Sequence, residues 1–231
     1  MRTIVTIDNG NSNPHYGLFQ EDSLVHVMPL EAFEESEDNT FYISSSVGAK
    51  ERIERFNAIS IRQLFKDKQF LDMPVDYSQT LGEDRLAVCY YAFKKFEGNT
   101  LVIDAGTFIT VDLVTDDGHK GGYIFPGLKT SLDSYQKGSL LPHLKTPNAN
   151  DDLDLDNLPK NTEEAILKAV TLQLKSSLKY IIDQLKPDNL LITGGQGEHV
   201  KVLLTGEENA IVDRDLIHKS LYLIAKNILA F

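Results

Sequence analysis

The sequence predicts an α/β protein built from two similar halves, with a ligand cleft between them. Three observations carry that prediction. Residues 3–11 (TIVTIDNGN) and 100–107 (TLVIDAGT) share one pattern: threonine, apolar run, aspartate, one residue, glycine or glycine with a small polar residue. Each is followed by a second apolar stretch and a turn, with Glu21-Asp22 after the first and Asp116-Asp117-Gly118 after the second. A third apolar strand, residues 190–193, runs into Gly194-Gly195-Gln196-Gly197. A strand, a glycine turn and a hairpin, repeated half a chain later, point to two similar units facing each other across the ligand site.

Each element follows from its residues. An apolar run stopped by Asp-x-Gly reads as a buried strand ending in a tight turn. In the second copy Gly106 lets the backbone approach a ligand, Thr107 offers a hydroxyl and Asp104 a carboxylate. Converging N–H groups at such a turn suit a phosphate, and a carboxylate beside a polyphosphate suits a cation. Residues 24–28 close the first hairpin, and the acidic run at 34–38 reads as an exposed turn or the end of a short helix. Residues 41–47 (FYISSSV) read as a strand, 51–56 as a helix, 58–61 as a short strand and 62–70 as a weak helix. Residues 73–77 contain Pro74 and read as an edge or extended piece. Leu86, Cys89, Tyr90 and Phe93 fall at helical spacing, so a helix starts near Asp84 and Arg85. Aspartate there is an ordinary N-cap. A cation at that end opposes the helix dipole, so Arg85 is better placed to meet an anion.

The second half reads the same way. Residues 121–125 form a strand closed by the Pro126-Gly127 break, 128–136 a helix and 146–159 a polar, acidic loop. Asn161 and Glu164 make a capping box. It opens the longest helix, which carries Ile166, Val170, Leu174, Leu178, Ile181 and Leu185 on one face and stops at Pro187. An apolar piece at 200–204, a strand near 210–212 and a helix over 214–229 complete the chain.

Composition narrows the function. The 231 residues fit one large domain or two small lobes. A net charge of −11 disfavours nucleic acid and anionic membranes as main partners. No apolar segment is long enough to predict a membrane span, and the first strand begins without a leader, so a cytoplasmic protein is expected. Cys89 is the lone cysteine and reads as core. The six histidines are scattered and predict no metal cluster, with His119, in a hairpin turn, expected on the solvated surface. The run Ser44-Ser45-Ser46 has no partnered histidine or acid by sequence. There is neither a Walker loop nor a dinucleotide fingerprint. The three glycine turns instead suit phosphoryl transfer, which needs positioning, charge neutralisation and a group to take the acceptor's proton. Asp84 is the candidate base, and Arg85 can hold an anionic acceptor through a forked contact.

DNGNS at 8–12, LGEDR at 81–85, DAGT at 104–107, GGYIFPG at 121–127, NTEEAI at 161–166 and TGG at 193–195 resemble, in order, the motifs of type III pantothenate kinases. The resemblance spans nearly the whole chain. It implies two ribonuclease-H-like lobes of the actin-like ATPase and sugar-kinase superfamily, residues 1–98 and 99–231, with an interlobe nucleotide cleft and a last helix that can pack back on the first lobe. It implies phosphorylation of pantothenate by ATP, the first step towards coenzyme A, with Mg²⁺ and a monovalent cation (potassium or ammonium), in a homodimer. By the resemblance Asp8, Asn9, Gly10, Asn11, Ser12, Asn13, Pro14 and His15 form the ATP phosphate loop, with Asp8 near Mg²⁺ and Thr107 a second ATP contact. Gly82, Glu83, Asp84 and Arg85 form the pantothenate turn, with Asp84 the base and Arg85 on the substrate carboxylate. Tyr77 and Thr162 are further substrate contacts, Thr162 across the dimer, and Asp104 is the monovalent-cation ligand. The phosphate loop departs from the family at its end, where a lysine or arginine is usual. Pro14 lacks an N–H donor and His15 is a less constant cation. A second reading therefore keeps the fold and makes the chain a catalytically weak or inactive relative, acting as a regulatory or accessory binding protein.

Overall fold

The computed structural model describes residues 3–34, 40–147, 154–204, 206 and 209–229. The chain divides into two compact units. The first comprises Met1–Glu97, Asp112–Gly121 and Asp215–Phe231; the second comprises Gly98–Val111 and Gly122–Arg214.

The first unit is built on five strands: β1 (Thr3–Asn9), β2 (His15–Gln20), β3 (Ser23–Pro29), β4 (Thr40–Ser46) and β5 (Ile59–Ser60), in the order β3-β2-β1-β4-β5. β1 pairs antiparallel with β2 and parallel with β4. Ile4, Val5 and Ile7 of β1 are buried, as a central strand covered on both faces requires. Val5 and Ile7 join Tyr16, Leu30 and Phe56 in one cluster, edged by Phe33 and Tyr42. Each such side chain contributes about 1.5–3 kcal/mol on burial. In chain order a small meander of β6 (Phe65–Lys66), β7 (Gln69–Phe70) and β8 (Met73–Pro74) follows β5 and precedes the helix α1 (Glu83–Lys95).

The second sheet holds β9 (Thr100–Ala105), β10 (Phe108–Thr115), β11 (Gly118–Pro126), β12 (Asn189–Thr193) and β13 (Ala210–Val212), in the order β11-β10-β9-β12-β13. The strand order 3-2-1-4-5 thus occurs twice, which is the internal duplication read from the two Asp-x-Gly turns. The helices here are α2 (Leu128–Ser134), α3 (Thr162–Leu185) and α4 (Gly197–Leu203). The last helix, α5 (Leu216–Leu229), buries Leu216, Ile217, Leu221, Ile224 and Ala225 and packs on β1 and α1 of the first unit.

Several local expectations held. Asn161 caps α3 by accepting from the Glu164 N–H at 2.9 Å, while the Glu164 carboxylate accepts from Lys160 N–H at 3.1 Å. Pro187 follows the helix end, where Lys186 turns left-handed at φ +43°. Pro74 lies on β8, an edge strand.

Others changed. Residues 51–56, expected as a helix, form two 3₁₀ turns, Lys50–Arg52 and Glu54–Phe56, because Asn57 takes φ +46° and stops the winding. Residues 62–70, expected as a weak helix, begin with a 3₁₀ turn and become a hairpin. Asp67 and Lys68 both have positive φ there, the conformation of a two-residue hairpin turn. The N-cap of α1 is Gly82, not Asp84, which sits one residue inside the helix. Residues 200–204 lie largely on α4. The acidic run at 35–38 and residues 148–153 of the acidic loop lie outside the described residues.

Candidate active site

The Asp8 turn leaves β1 at the sheet's carboxyl end. Its backbone is fixed from the strand-to-turn segment after β4: Gly48 N–H and Val47 N–H donate to the Asn9 carbonyl at 2.8 and 3.2 Å. Asn9 Nδ2 donates to Ser46 Oγ at 2.9 Å and to the Ala49 carbonyl at 2.8 Å. Gly48 cannot carry a side chain, because a Cβ would stand 2.7 Å from the Gly10 carbonyl and 2.9 Å from that of Asn9. Asn11, Ser12 and Asn13 are exposed, while Asp8 and His15 are half-buried. The Asp8 carboxylate and His15 Nε2 stand 3.6 Å apart. Arg52 Nη1 donates to the Gly10 carbonyl at 3.3 Å. A guanidinium therefore stands at this turn, from a segment that sequence reading had given only a helical role. Its signal was weak: a basic residue in a 3₁₀ turn far from the loop in sequence.

The start of α1 gathers Gly82, Glu83, Asp84 and Arg85 but sends their side chains to different tasks. Asp84 accepts from the Arg85 N–H at 2.7 Å. Burial, with a further contribution from the Asp112 carboxylate, raises its pKa against the opposing Arg85 charge and N–H groups. A Cβ at Gly82 would collide with Asp84 Oδ1. That glycine keeps room for the carboxylate. Glu83 turns inward: its Oε2 accepts from Ser46 N–H at 3.2 Å and Ser60 Oγ at 3.1 Å, and burial raises its pKa too. It ties α1 to β4 and β5.

Arg85 does meet an anion, and that anion belongs to the chain. Its Nε and Nη2 donate to Asp112 Oδ2 and Oδ1 at 2.9 and 2.6 Å, a forked pair with both side chains at most 4 % exposed. Tyr77 lies across the guanidinium, 5.0 Å from its ring centroid. Burial works against the charge, but the Asp112 pair and a hydrogen bond with Tyr77 outweigh it and keep Arg85 firmly protonated.

His119, expected on the surface, is fully buried, with Nε2 2.7 Å from Asp112 Oδ1. The reason is the segment after β8. Val75 pairs with His119, Asp76 N–H donates to its carbonyl at 2.8 Å, and Gly118 at φ +102° lets the Pro74 carbonyl press against it. Cys89 Sγ, an Asp112 oxygen and a His119 nitrogen lie within 4.8 Å of one another, which is metal-ligand spacing. The guanidinium already engages both oxygens of Asp112, so the group is balanced as an ion pair. Cys89 is core, and burial raises its thiol pKa.

In the second unit Asp104, next to last in β9, stands opposite Thr193 of β12. Gly194, at φ +87°, passes so close that a Cβ would stand 2.5 Å from both Asp104 Oδ1 and the Ala105 carbonyl. A carboxylate and a carbonyl around a bare glycine form an oxygen-lined cradle, a donor set that suits a hard cation. Gln196 N–H donates to that carbonyl at 2.9 Å. The turn at Gly106 and Thr107 is held by Gly127 N–H on the Thr107 carbonyl at 3.0 Å and Thr130 Oγ1 on the same oxygen at 2.6 Å. Thr107 is exposed, and so is Thr162, the first residue of α3.

Comparison with known proteins places this geometry. The sequence model of the family described as type III pantothenate kinase matches residues 26–184. A type III pantothenate kinase of Campylobacter jejuni is 30% identical over 222 residues, which cover 95% of each chain. Among solved structures, a Campylobacter jejuni protein described as a Baf family transcriptional activator superposes with a TM-score of 0.65 at 27% identity, covering 98% of this chain and 100% of the other. A Sinorhizobium meliloti protein described as a 2-dehydro-3-deoxygalactonokinase superposes at 0.61 with 12% identity, over 99% and 97%. At that identity the likeness is one of fold alone, an α/β fold shared over the whole chain. No helix among the described residues is long and apolar enough to cross a membrane.

Proposed function

We propose that this chain, which belongs to the type III pantothenate kinase family, transfers the terminal phosphoryl group of ATP to the hydroxyl of pantothenate, giving 4′-phosphopantothenate in the first step of coenzyme A synthesis. The observation that carries this reading is Asp84: a half-buried carboxylate with a raised pKa, kept clear by Gly82, beside an anchored guanidinium. A raised pKa moves a carboxylate towards the operating pH of a general base.

In this reading Asp84 takes the hydroxyl proton as the oxygen bonds to phosphorus and ADP leaves. Arg85 engages Asp112 through Nε and Nη2 and also bonds Tyr77, and in this reading its remaining N–H donors meet the pantothenate carboxylate. Tyr77 packs beside it. Glu83 and Gly82 shape the turn. Asp8 to His15 hold the phosphates, with Arg52 supplying the positive charge that the loop's own end lacks, and Thr107 is a further phosphate contact. Mg²⁺ at Asp8, when bound, neutralises charge developing on the phosphate oxygens. Asp104 and the Ala105 carbonyl hold the monovalent cation. Thr162 contacts pantothenate from the partner subunit of a cytoplasmic homodimer. The test is turnover of pantothenate with ATP, Mg²⁺ and potassium, set against Asp84→Asn. Equal activity in that variant removes Asp84 as base.

A second reading, a non-catalytic relative, is favoured by Pro14 and by His15, whose pKa burial lowers against the opposing Asp215 carboxylate. Calorimetry that finds no ATP binding at millimolar concentration in well-folded protein supports it.

A further inference from the structure

A row of polar side chains runs from the Asp8 turn into the core of the first unit. His15 Nε2 stands 3.6 Å from Asp8 Oδ2, and His15 Nδ1 stands 2.9 Å from His218 Nε2. His218 Nδ1 lies 2.8 Å from Thr6 Oγ1, which in turn lies 3.1 Å from the Gly17 carbonyl. Gly17 makes the space: a Cβ there would stand 2.9 Å from the His218 ring.

His218 Nε2 and His15 Nδ1, facing each other at 2.9 Å, share one hydrogen, so with one N–H on each ring the row has two hydrogen-bond arrangements. In one, the Thr6 hydroxyl donates to His218 Nδ1, His218 Nε2–H donates to His15 Nδ1, and His15 Nε2–H faces Asp8. In the other, the Thr6 hydroxyl turns to the Gly17 carbonyl and accepts from His218 Nδ1–H, while His218 Nε2 accepts from His15 Nδ1–H. His15 Nε2 then presents a bare lone pair beside the Asp8 carboxylate. Both arrangements carry the same number of protons, and both satisfy every nitrogen inside the row. A lone pair against a carboxylate is repulsive unless a cation stands between them.

We infer that a divalent cation at Asp8 selects the second arrangement and takes His15 Nε2 as a ligand, making a mixed oxygen–nitrogen site that ranks first-row transition ions ahead of Mg²⁺. The inference deepens the proposed kinase reading and rests on it for a cation at Asp8. The donor chemistry fits. Adjacent ligands on an octahedral ion stand about 3 Å apart, so the 3.6 Å gap between these paired residues of β1 and β2 closes with a small rotation of the Asp8 side chain. A metal-bound imidazole gives its other N–H to a fixed acceptor, the part His218 plays here. Mg²⁺ prefers oxygen and water, whereas an imidazole nitrogen strengthens binding of Mn²⁺ and the ions after it.

The test uses the full chain without nucleotide, titrated with Mn²⁺ alone and with Mg²⁺ as competitor, and read by the paramagnetic resonance signal of free Mn²⁺. The expected result is a preference for Mn²⁺ of about tenfold or more, reduced at least about fivefold in His15→Gln, with Asp8→Asn weakening both ions. In protein carrying ¹⁵N-histidine, bound Mn²⁺ shows a directly coordinated ¹⁵N coupling that disappears in His15→Gln. The wild-type coupling needs no variant to fold. Absent Mn²⁺ binding, bound Mn²⁺ without that coupling, or an unchanged ion preference in His15→Gln overturns the inference. These readings involve neither phosphoryl donor nor acceptor, so they stand apart from the outcome of the kinase assay.

Discussion

Asp112→Asn tests the buried pair that fixes Arg85. The substitution keeps the side chain's shape and removes its charge, leaving a guanidinium that is 4 % exposed with one carbonyl acceptor in place of a carboxylate. Breaking one partner of a buried ion pair costs about 3–5 kcal/mol, and the retained acceptor places this change near about 3 kcal/mol. For a chain of this size that is a fall in melting temperature of about 6–12 °C. Denaturant unfolding of wild type, Asp112→Asn, Arg85→Met and the double variant measures it as a cycle, with an expected coupling of at least about 2 kcal/mol. Function should move too. A guanidinium released from Asp112 holds the acceptor poorly, so KM for pantothenate rises about tenfold while kcat changes less. The Asp112 charge also helps raise the Asp84 pKa, so its removal lowers that pKa and shifts the acid limb of kcat/KM to lower pH. A destabilisation below about 1 kcal/mol, or additive single-variant effects, would refute the account of Arg85 as a locked group.

Further predictions follow from the same geometry. Asp84→Asn should lower kcat by about 10²–10⁴-fold. It should also raise the melting temperature at neutral pH: burial raises the folded-state pKa, so the carboxyl favours folding below its unfolded pKa and loses that contribution as pH rises through the folded one. Wild-type activity should fall as pH drops through a value above the ordinary carboxylate range, read from a pH profile of kcat/KM. Gly194→Ala places a Cβ against Asp104 and the Ala105 carbonyl at φ +87° and should abolish activation by potassium while costing about 1–3 kcal/mol of stability, read by potassium titration and melting. Arg52→Ala should raise KM for ATP severalfold with stability within about 0.5 kcal/mol, since its guanidinium is on the surface.

Much of the fold was legible because its signals are local. Buried strands advertise themselves as apolar runs, and the two Asp-x-Gly turns mark equivalent positions in the two 3-2-1-4-5 sheets. The weak places were short elements, where neither period had room to declare itself and left-handed residues such as Asn57 and Asp67 decided the path. In the site, Arg85 and Asp112 were each odd by themselves: a cation at a helix start, and an acid between Val111 and Leu113 inside a strand. Each is the other's reason, and a charged residue flanked by apolar ones in a strand was the available signal that a partner existed. His119 was misread because the polar turn before it suggested water, while the segment that covers it, residues 74–76, comes from far earlier in the chain. The approach of His218 to His15 across 203 positions had no sequence signal at all.

The first unit takes its closing helix from beyond the second unit in chain order. In chain order β1 precedes the second unit, yet α5, which covers it and is latched by Tyr222 and Lys226 to Asp22, follows that unit. The intervening unit is contiguous apart from one excursion and can finish first. Until α5 is made, one face of the first unit's sheet lacks its cover, so this unit completes its core only after the second has been synthesised.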